Sequence, residues 1–168
     1  MPIRKIIYLP DARLRQKNQP IKNFEDKALQ SLIDDMFETM YHAKGVGLAA
    51  PQIGINLQLT VIDVIGDKSE QYVLANPEII HREGQVLRQE GCLSVPGAYD
   101  SVTRDEAVTV RAQDRTGKVF EITGTDLLGH CLQHEIDHLN GKLFVDYLSP
   151  LKRNIAKKKL EKFKRQNT

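Results

Sequence analysis

Tryptophan is absent from this sequence, and cysteine occurs only twice. Two thiols cannot build the multi-bridge framework of a small secreted domain, so the fold has to be held by a hydrophobic core. No apolar run approaches the roughly 18 residues of a membrane-spanning helix. The opening Met1-Pro2-Ile3-Arg4-Lys5 carries charges with no apolar stretch behind them, which predicts no secretory signal. A reducing, cytoplasmic location is therefore expected, with the thiols acting as ligands or core residues. Internal repeats and low-complexity segments are also missing. What remains is a chain of 168 residues, 40% hydrophobic and 27% charged, which suits one domain with a single sizeable core.

Acidic residues are scarce at one end only. Over residues 151–168 eight Lys or Arg face a single acid, Glu161, giving +7 locally, while the whole chain carries +2 and residues 1–150 therefore −5. The expected organisation is a body over 1–150 and a basic helix or tail over 151–168. A run of cations is either a solvated helix face or a contact for an anionic partner.

Hydrophobic periodicity supplies the coarse elements. Residues 3–9 read as a short strand ended by Pro10. Leu29, Leu32, Ile33, Met36 and Met40 recur at helical spacing, predicting an amphipathic helix over 24–43, capped by Asn23 and stopped by Gly45. Residues 57–65 and 72–75 read as strands, the second broken by Asn76-Pro77. Residues 107–114 and 118–123 read as a hairpin. Thr125 is placed to cap a second helix that Gly141 ends, and 143–145 read as a brief strand. Pro150 opens a last helix at its first position. There Leu148, Leu151 and Ile155 fall on one face and Ala156, Leu160 and Phe163 on another, so the first turns are expected to dock and the rest to project.

Within the second helix stands His134-Glu135-Ile136-Asp137-His138. Histidines four apart lie one turn apart on the same face, about 5–6 Å between Cβ atoms, so both rings can close on one metal ion. The adjoining glutamate can serve as general base to a water at that ion. The pattern alone is moderately specific and needs a third ligand. The candidates are His42, His81, His130, Cys92, Cys131 and the carboxylates; no histidine follows His138. Cys131 falls in the packing seam of its helix. Cys92 stands in the irregular, glycine- and proline-rich Glu90-Gly91-Cys92-Leu93-Ser94-Val95-Pro96-Gly97, where the backbone can deliver a thiolate, and is favoured as third ligand. A Cys92–Cys131 disulfide is disfavoured by the compartment. Gly45-Val46-Gly47-Leu48-Ala49-Ala50-Pro51-Gln52-Ile53-Gly54 is either a packing turn or an extended wall that pairs with a ligand. Periodicity favours the turn.

In the stretches 45–52, 90–94 and 134–138, taken in that order and spacing, the chain resembles the bacterial, type I-like peptide deformylases over essentially its whole length. The resemblance turns the first stretch from a packing turn into a substrate wall. It implies an α+β fold with mixed or antiparallel β-sheets packed around a central HExxH helix, an N-terminal helix and a C-terminal basic helix. By the same resemblance Cys92, His134 and His138 hold one divalent ion, usually Fe²⁺, with Zn²⁺, Ni²⁺ or Co²⁺ able to replace it. Glu135 is then the base, and the Gln52 amide and Leu93 N–H meet the oxyanion. The substrate is the N-formylmethionyl end of a nascent peptide, and formate is released. The peptide would pair as a strand along Val46, Gly47 and Gly91. Its methionine would enter a pocket with Val46, Leu127 and Cys131, where His130 departs from the aliphatic residue usual in the family. Ala98-Tyr99 stand where an arginine is often found. Asp137 is read as orienting a ligand histidine, as pairing with Arg104, or equally as part of a salt bridge on the helix surface. The basic tail would contact ribosomal RNA, and no membrane partner is expected. The competing readings are a general zinc peptidase and a ribosome-associated binding protein with a structural metal. An open ligand position beside Glu135 argues against the second, because structural sites are closed by a fourth residue.

Overall fold

A computed structural model describes residues 3–167. Met1 and Pro2, the start of the segment read as lacking a secretory signal, and Thr168 lie outside the described residues. The elements in chain order are α1 (Lys27–His42), β1 (Gly47–Ala49), β2 (Leu59–Ile62), β3 (Tyr72–Glu83), β4 (Val86–Gly91), β5 (Tyr99–Arg104), β6 (Ala107–Gln113), β7 (Val119–Thr125), α2 (Asp126–Leu139) and α3 (Pro150–Gln166). Five strands form one sheet in the order β1-β2-β3-β6-β7, and β4 and β5 form a separate pair; every pairing is antiparallel. The α+β expectation holds. Among the described residues no helix is long and apolar enough to cross a membrane.

Helix α1 starts three residues later than its periodicity predicts, because two side chains compete to cap it. Asn23 Oδ1 accepts the Glu25 amide at 3.1 Å, closing a turn, and Asp26 Oδ1 then accepts the Ala28 amide at 2.9 Å and caps the helix. Its stop is Lys44 at φ +59°, one residue before the expected Gly45. The stripe from Leu29 to Met40 is buried against Leu48, Leu59 and Val61. Each such fully buried side chain contributes about 1.5–3 kcal/mol.

Four further expectations are corrected. Residues 3–9 form no strand; they cross the body as an extended segment tied by Ile7 N–H to Gln52 O at 2.8 Å and Leu9 N–H to Ser94 O at 3.0 Å. Asn76-Pro77 bulges β3 without breaking it: Asn76 takes φ +51°, and its side chain accepts the Ile21 amide and donates to Ile21 O. The β4–β5 pair escaped the reading because exposed Leu87 and the charged Arg88, Glu90 and Arg104 break the usual alternation. Residues 143–145 form no strand: Leu143 precedes a 3-10 turn, Phe144–Tyr147, that buries Phe144.

Two helices then complete the body. On α2, Cys131, Leu132 and Ile136 pack on Ile62, Leu74, Val108 and Val110 of the sheet. Thr125 stands at its N-cap, though without a side-chain capping bond. Ser149 caps α3, with Pro150 next. This helix docks by Ala156 and Leu160, whereas Leu151 and Ile155 remain 70% and 45% exposed, the reverse of the expected face.

The loop after β2 hangs on buried Asp63. Its carboxylate accepts the Tyr41 hydroxyl and the amides of Gly66 and Lys68. Burial alone would push the Asp63 carboxyl up; Tyr41 and these amides outweigh it and hold it below the usual value. A depressed folded pKa stabilises above the unfolded value and is lost as pH falls through the folded one. Asp63→Asn is therefore expected to cost roughly 1–3 kcal/mol at pH 7, with the gap to wild type closing as pH falls below about 4. Urea denaturation across that range checks it; a gap independent of pH would contradict it.

Candidate metal centre

Strand β4 leads straight into the turn that carries Cys92. Strand alternation puts residues 90 and 92 on one side, toward α2. The turn closes through Val95 N–H to Cys92 O at 3.0 Å. Leu93 and Ser94 are its central residues, whose amides the turn's own bond does not use.

Helix α2 presents the other two donors one turn apart. His134 Nε2 and His138 Nε2 are 3.2 Å apart, and Cys92 Sγ lies 3.2 Å from His138 Nε2. All three donor atoms fall within 4.8 Å of one another, and no other such group converges among the described residues. The Nδ1 atom of His134 is engaged with Glu90 Oε1 at 2.7 Å, which assigns Nε2 as its lone-pair nitrogen. One sulfur and two imidazole nitrogens converging on a point, with a fourth side open to a cavity, fit a divalent transition-metal ion. The electrostatics set the two rings apart. Burial, then His134, push the His138 imidazole well below its usual range, so it is neutral, as a ligand must be. Against burial, Cys92 and Glu90 hold His134 well above its range. An ion held there would have to displace the proton of that ring.

Behind His134 lies a network whose role the sequence reading missed. Glu90, with its side chain 3% exposed, accepts Arg104 Nε at 2.7 Å and Nη2 at 2.9 Å as well as bonding His134. Arg104 Nη1 donates to Asp137, which also accepts the Tyr147 hydroxyl at 2.8 Å. Of the readings of Asp137, the pairing with Arg104 is the one observed. The pairing reaches the ligand through Glu90. Burial would raise the Glu90 carboxyl; His130, His134 and Arg104 outweigh it and hold the group far below the usual carboxylate range. The usable signal was the spacing: an acid two residues before a ligand cysteine on a strand shares its face.

Glu135 has the opposite surroundings. Its Oε1 is buried without a hydrogen-bond partner, and burial pushes the carboxyl up to about 7. Gly47 makes room for it, since a Cβ there would come 2.6 Å from Glu135 Oε2 and 2.8 Å from Cys131 Sγ. Gln52 is 1% exposed and oriented at both ends: Ala49 N–H donates to its Oε1 at 2.9 Å. Its Nε2 therefore faces Ser94 Oγ at 3.2 Å and Cys92 Sγ at 3.7 Å.

One cavity of about 570 Å³ brings these groups together. Val46, Gly47, Gln52, Gly91, Cys92, Leu93, Leu127, His130, Cys131, His134 and Glu135 all line it, so every expected site residue is there except His138, which is buried behind them. Both cysteines are free thiols, and Cys131 is kept protonated by burial and then by Glu135, as suits a wall residue. His130 Nε2 comes 2.5 Å from Glu90 Oε2 but off hydrogen-bond alignment. Tyr8, Tyr99 and Phe163, which the sequence reading did not place here, also face the cavity. A larger cavity of about 790 Å³ lies under α3, lined by Leu9, Val95 and Leu160, and contains none of the donor residues.

The chain is similar to known proteins over nearly all its length. A family model described as polypeptide deformylase matches residues 3–154. A peptide deformylase of Chromobacterium violaceum is 51% identical over 167 residues, 99% of each chain, and one of Hahella chejuensis is 56% identical over 94% of each. The crystal structure of a peptide deformylase from Legionella pneumophila superposes with a TM-score of 0.97 at 65% identity, covering 98% of this chain and 97% of that one. A peptide deformylase of Synechococcus elongatus in complex with actinonin superposes with a TM-score of 0.88 at 44% identity, covering 93% and 86%.

Because Glu90 fixes the ring of one ligand, Glu90→Gln is expected to lower affinity for a divalent metal about 10- to 100-fold. Competition against a chromogenic chelator measures this; an unchanged affinity would remove Glu90 from the site's support.

Proposed function

The chain belongs to the polypeptide deformylase family, hydrolases that remove the formyl group from nascent peptides, and from that premise we propose how its own residues do so. Cys92, His134 and His138 hold a divalent ion; the family resemblance points to Fe²⁺, and Zn²⁺, Ni²⁺ or Co²⁺ suit the same donors. When bound, the ion supplies Lewis-acid polarisation of water and of the formyl oxygen. The observation that carries the reading is Glu135, a buried carboxyl without a hydrogen-bond partner on Oε1, one residue from His134 and facing the cavity.

Glu135 takes the proton of the attacking water, and its pKa near 7 suits a group that must both accept and return a proton. As the formyl carbon becomes tetrahedral, its oxygen gains charge. Gln52 Nε2 and the Leu93 N–H stand beside Cys92 as donors fixed in advance. Glu135 then passes its proton to the departing amine, and formate leaves. The peptide lies as an added strand against Val46, Gly47 and Gly91, main chain to main chain, which binds many sequences alike. Its methionine side chain enters beside Leu127, His130 and Cys131. Actinonin, bound by the Synechococcus relative, is expected to occupy the same cavity.

The exposed cations of α3 form a contact for ribosomal RNA. Phosphate contacts of this kind weaken steeply with salt. Charge reversal of Lys157, Lys158 and Lys162 should remove salt-sensitive cosedimentation with ribosomes, and cosedimentation unchanged by it would end this proposal.

Glu135→Gln keeps the shape of the side chain and removes the base. It should retain metal and fold while formate release from formyl-Met-Ala-Ser falls about 10²- to 10⁴-fold. A variant that kept most of its turnover would show that another group is the base.

A further inference from the structure

One ring on the wall of the cavity takes no part in the hydrolysis described above. His130 lines the cavity together with Leu127 and Cys131 and is 7% exposed. Both of its ring nitrogens are buried without a hydrogen-bond partner. Buried polar groups are as a rule paired, so a histidine left in this state on a pocket wall calls for a reason.

The ring is backed from behind. Its Nε2 comes 2.5 Å from Glu90 Oε2. Glu90 is itself gripped by two nitrogens of Arg104 and engages His134 Nδ1 at 2.7 Å. One carboxylate therefore stands behind both a metal donor and the pocket wall. His130 is one turn N-terminal to His134 on the same face of α2, with about 5–6 Å between Cβ atoms. The far wall is close, since a Cβ on Gly47 would come 2.8 Å from Cys131 Sγ. A peptide whose formyl group reacts beside His134 thus begins its first side chain about a turn away from the His130 ring. Methionine and norleucine share one shape here and differ only at the δ position, sulfur in the first and a methylene in the second.

We infer that His130 is a specificity-determining residue for the first side chain, its ring taking the thioether of methionine in preference to a hydrocarbon of the same shape. This rests on the deformylase reading, which brings the formyl group to His134 and the first side chain to this wall. Sulfur is polarisable and gains from contact with the edge of an aromatic ring, whereas a methylene gains only ordinary packing.

The test compares formyl-Met-Ala-Ser with formyl-norleucyl-Ala-Ser in metal-loaded, full-length wild type, His130→Leu and His130→Gln. The leucine removes the ring and its approach to Glu90; the glutamine keeps an N–H for Glu90 but no ring. In wild type kcat/KM is expected to favour the methionyl peptide about three- to tenfold, and in both variants the two peptides should come within about 1.5-fold. Each ratio is taken within one protein, so differences in metal loading or folded fraction cancel. The affinities for the products Met-Ala-Ser and norleucyl-Ala-Ser, measured by calorimetry, should show the same preference and the same loss. A wild-type ratio near one, or a preference that survives in either variant, would overturn the inference. A wild type that released no formate from either peptide would instead overturn the deformylase reading, and calorimetry would still decide whether the ring reads the sulfur.

Discussion

The buried Glu90 carboxylate is the contact on which the remaining site geometry depends. Removing a carboxylate from water costs several kcal/mol, which only good partners offset. Here they are a two-pronged Arg104 and the Nδ1 atom of His134. Each comes from a different piece of chain: Glu90 from β4, Arg104 from β5, His134 from α2. Asp137 and Tyr147 add the end of α2 and the turn that follows, and Arg104 also stacks 4.9 Å over the Tyr147 ring. A shift of any one piece would leave a buried charge unpaired, so four elements are set in one register. The direction of the lone pair on His134 follows from that register.

The same cavity holds two carboxylates with opposite tasks, separated by surroundings alone. Glu90 is surrounded by donors and stays ionised. Glu135 is buried without a partner on Oε1, and its pKa rises to about 7. Such divergence is what the proposed division of labour needs, one acid structural and the other passing protons. Space makes it possible, because Gly47, lacking a Cβ, lets the strand wall approach Glu135 and Cys131 closely. The glycines of that stretch look like a turn in one dimension and prove to be half turn, half strand. Gly47–Ala49 pair with β2, and Ala50–Ile53 curl into a 3-10 turn that delivers Gln52.

The convergence of Cys92, His134 and His138, the place of Glu135 in the cavity and the three motif stretches were legible because each rests on local spacing. A helix repeat fixes His134 to His138, and glycine or proline marks the irregular segments around Cys92 and Gln52. The central hairpin and all three helices were legible for the same reason. What escaped depends on contacts distant in sequence. Arg104 is one charge among many until β5 pairs with β4. Residues 3–9 have the composition of a strand, but their amides go to isolated acceptors, Arg4 to Thr39 Oγ1, Ile7 to Gln52 O and Leu9 to Ser94 O. The docking face of α3 was misread because Leu151 and Ile155 are larger than Ala156. Size is a poor guide where a helix must approach closely, and the small residue lies at the contact.

Helix α3 shows how charge and packing can divide one element. Charge changes sign near residue 150, yet the hydrophobic core continues through that point, with Ala156 in the same cluster as Val95, Phe144 and Leu148. The acidic body attracts the basic helix at short range, since opposite charges within about 8–10 Å are only partly screened at physiological salt. That attraction is diffuse. The ion pair of Lys152 with Asp100 at 3.3 Å is too exposed to contribute much. Position is instead set by the narrow stripe of Ala156, Leu160 and Phe163, spaced four and three residues apart so that one face suffices. Seating that stripe turns most of the cations outward and the last aromatic inward, to the cavity. A helix read by its charge as an appendage is therefore, by its packing, a part of the wall around the reacting groups.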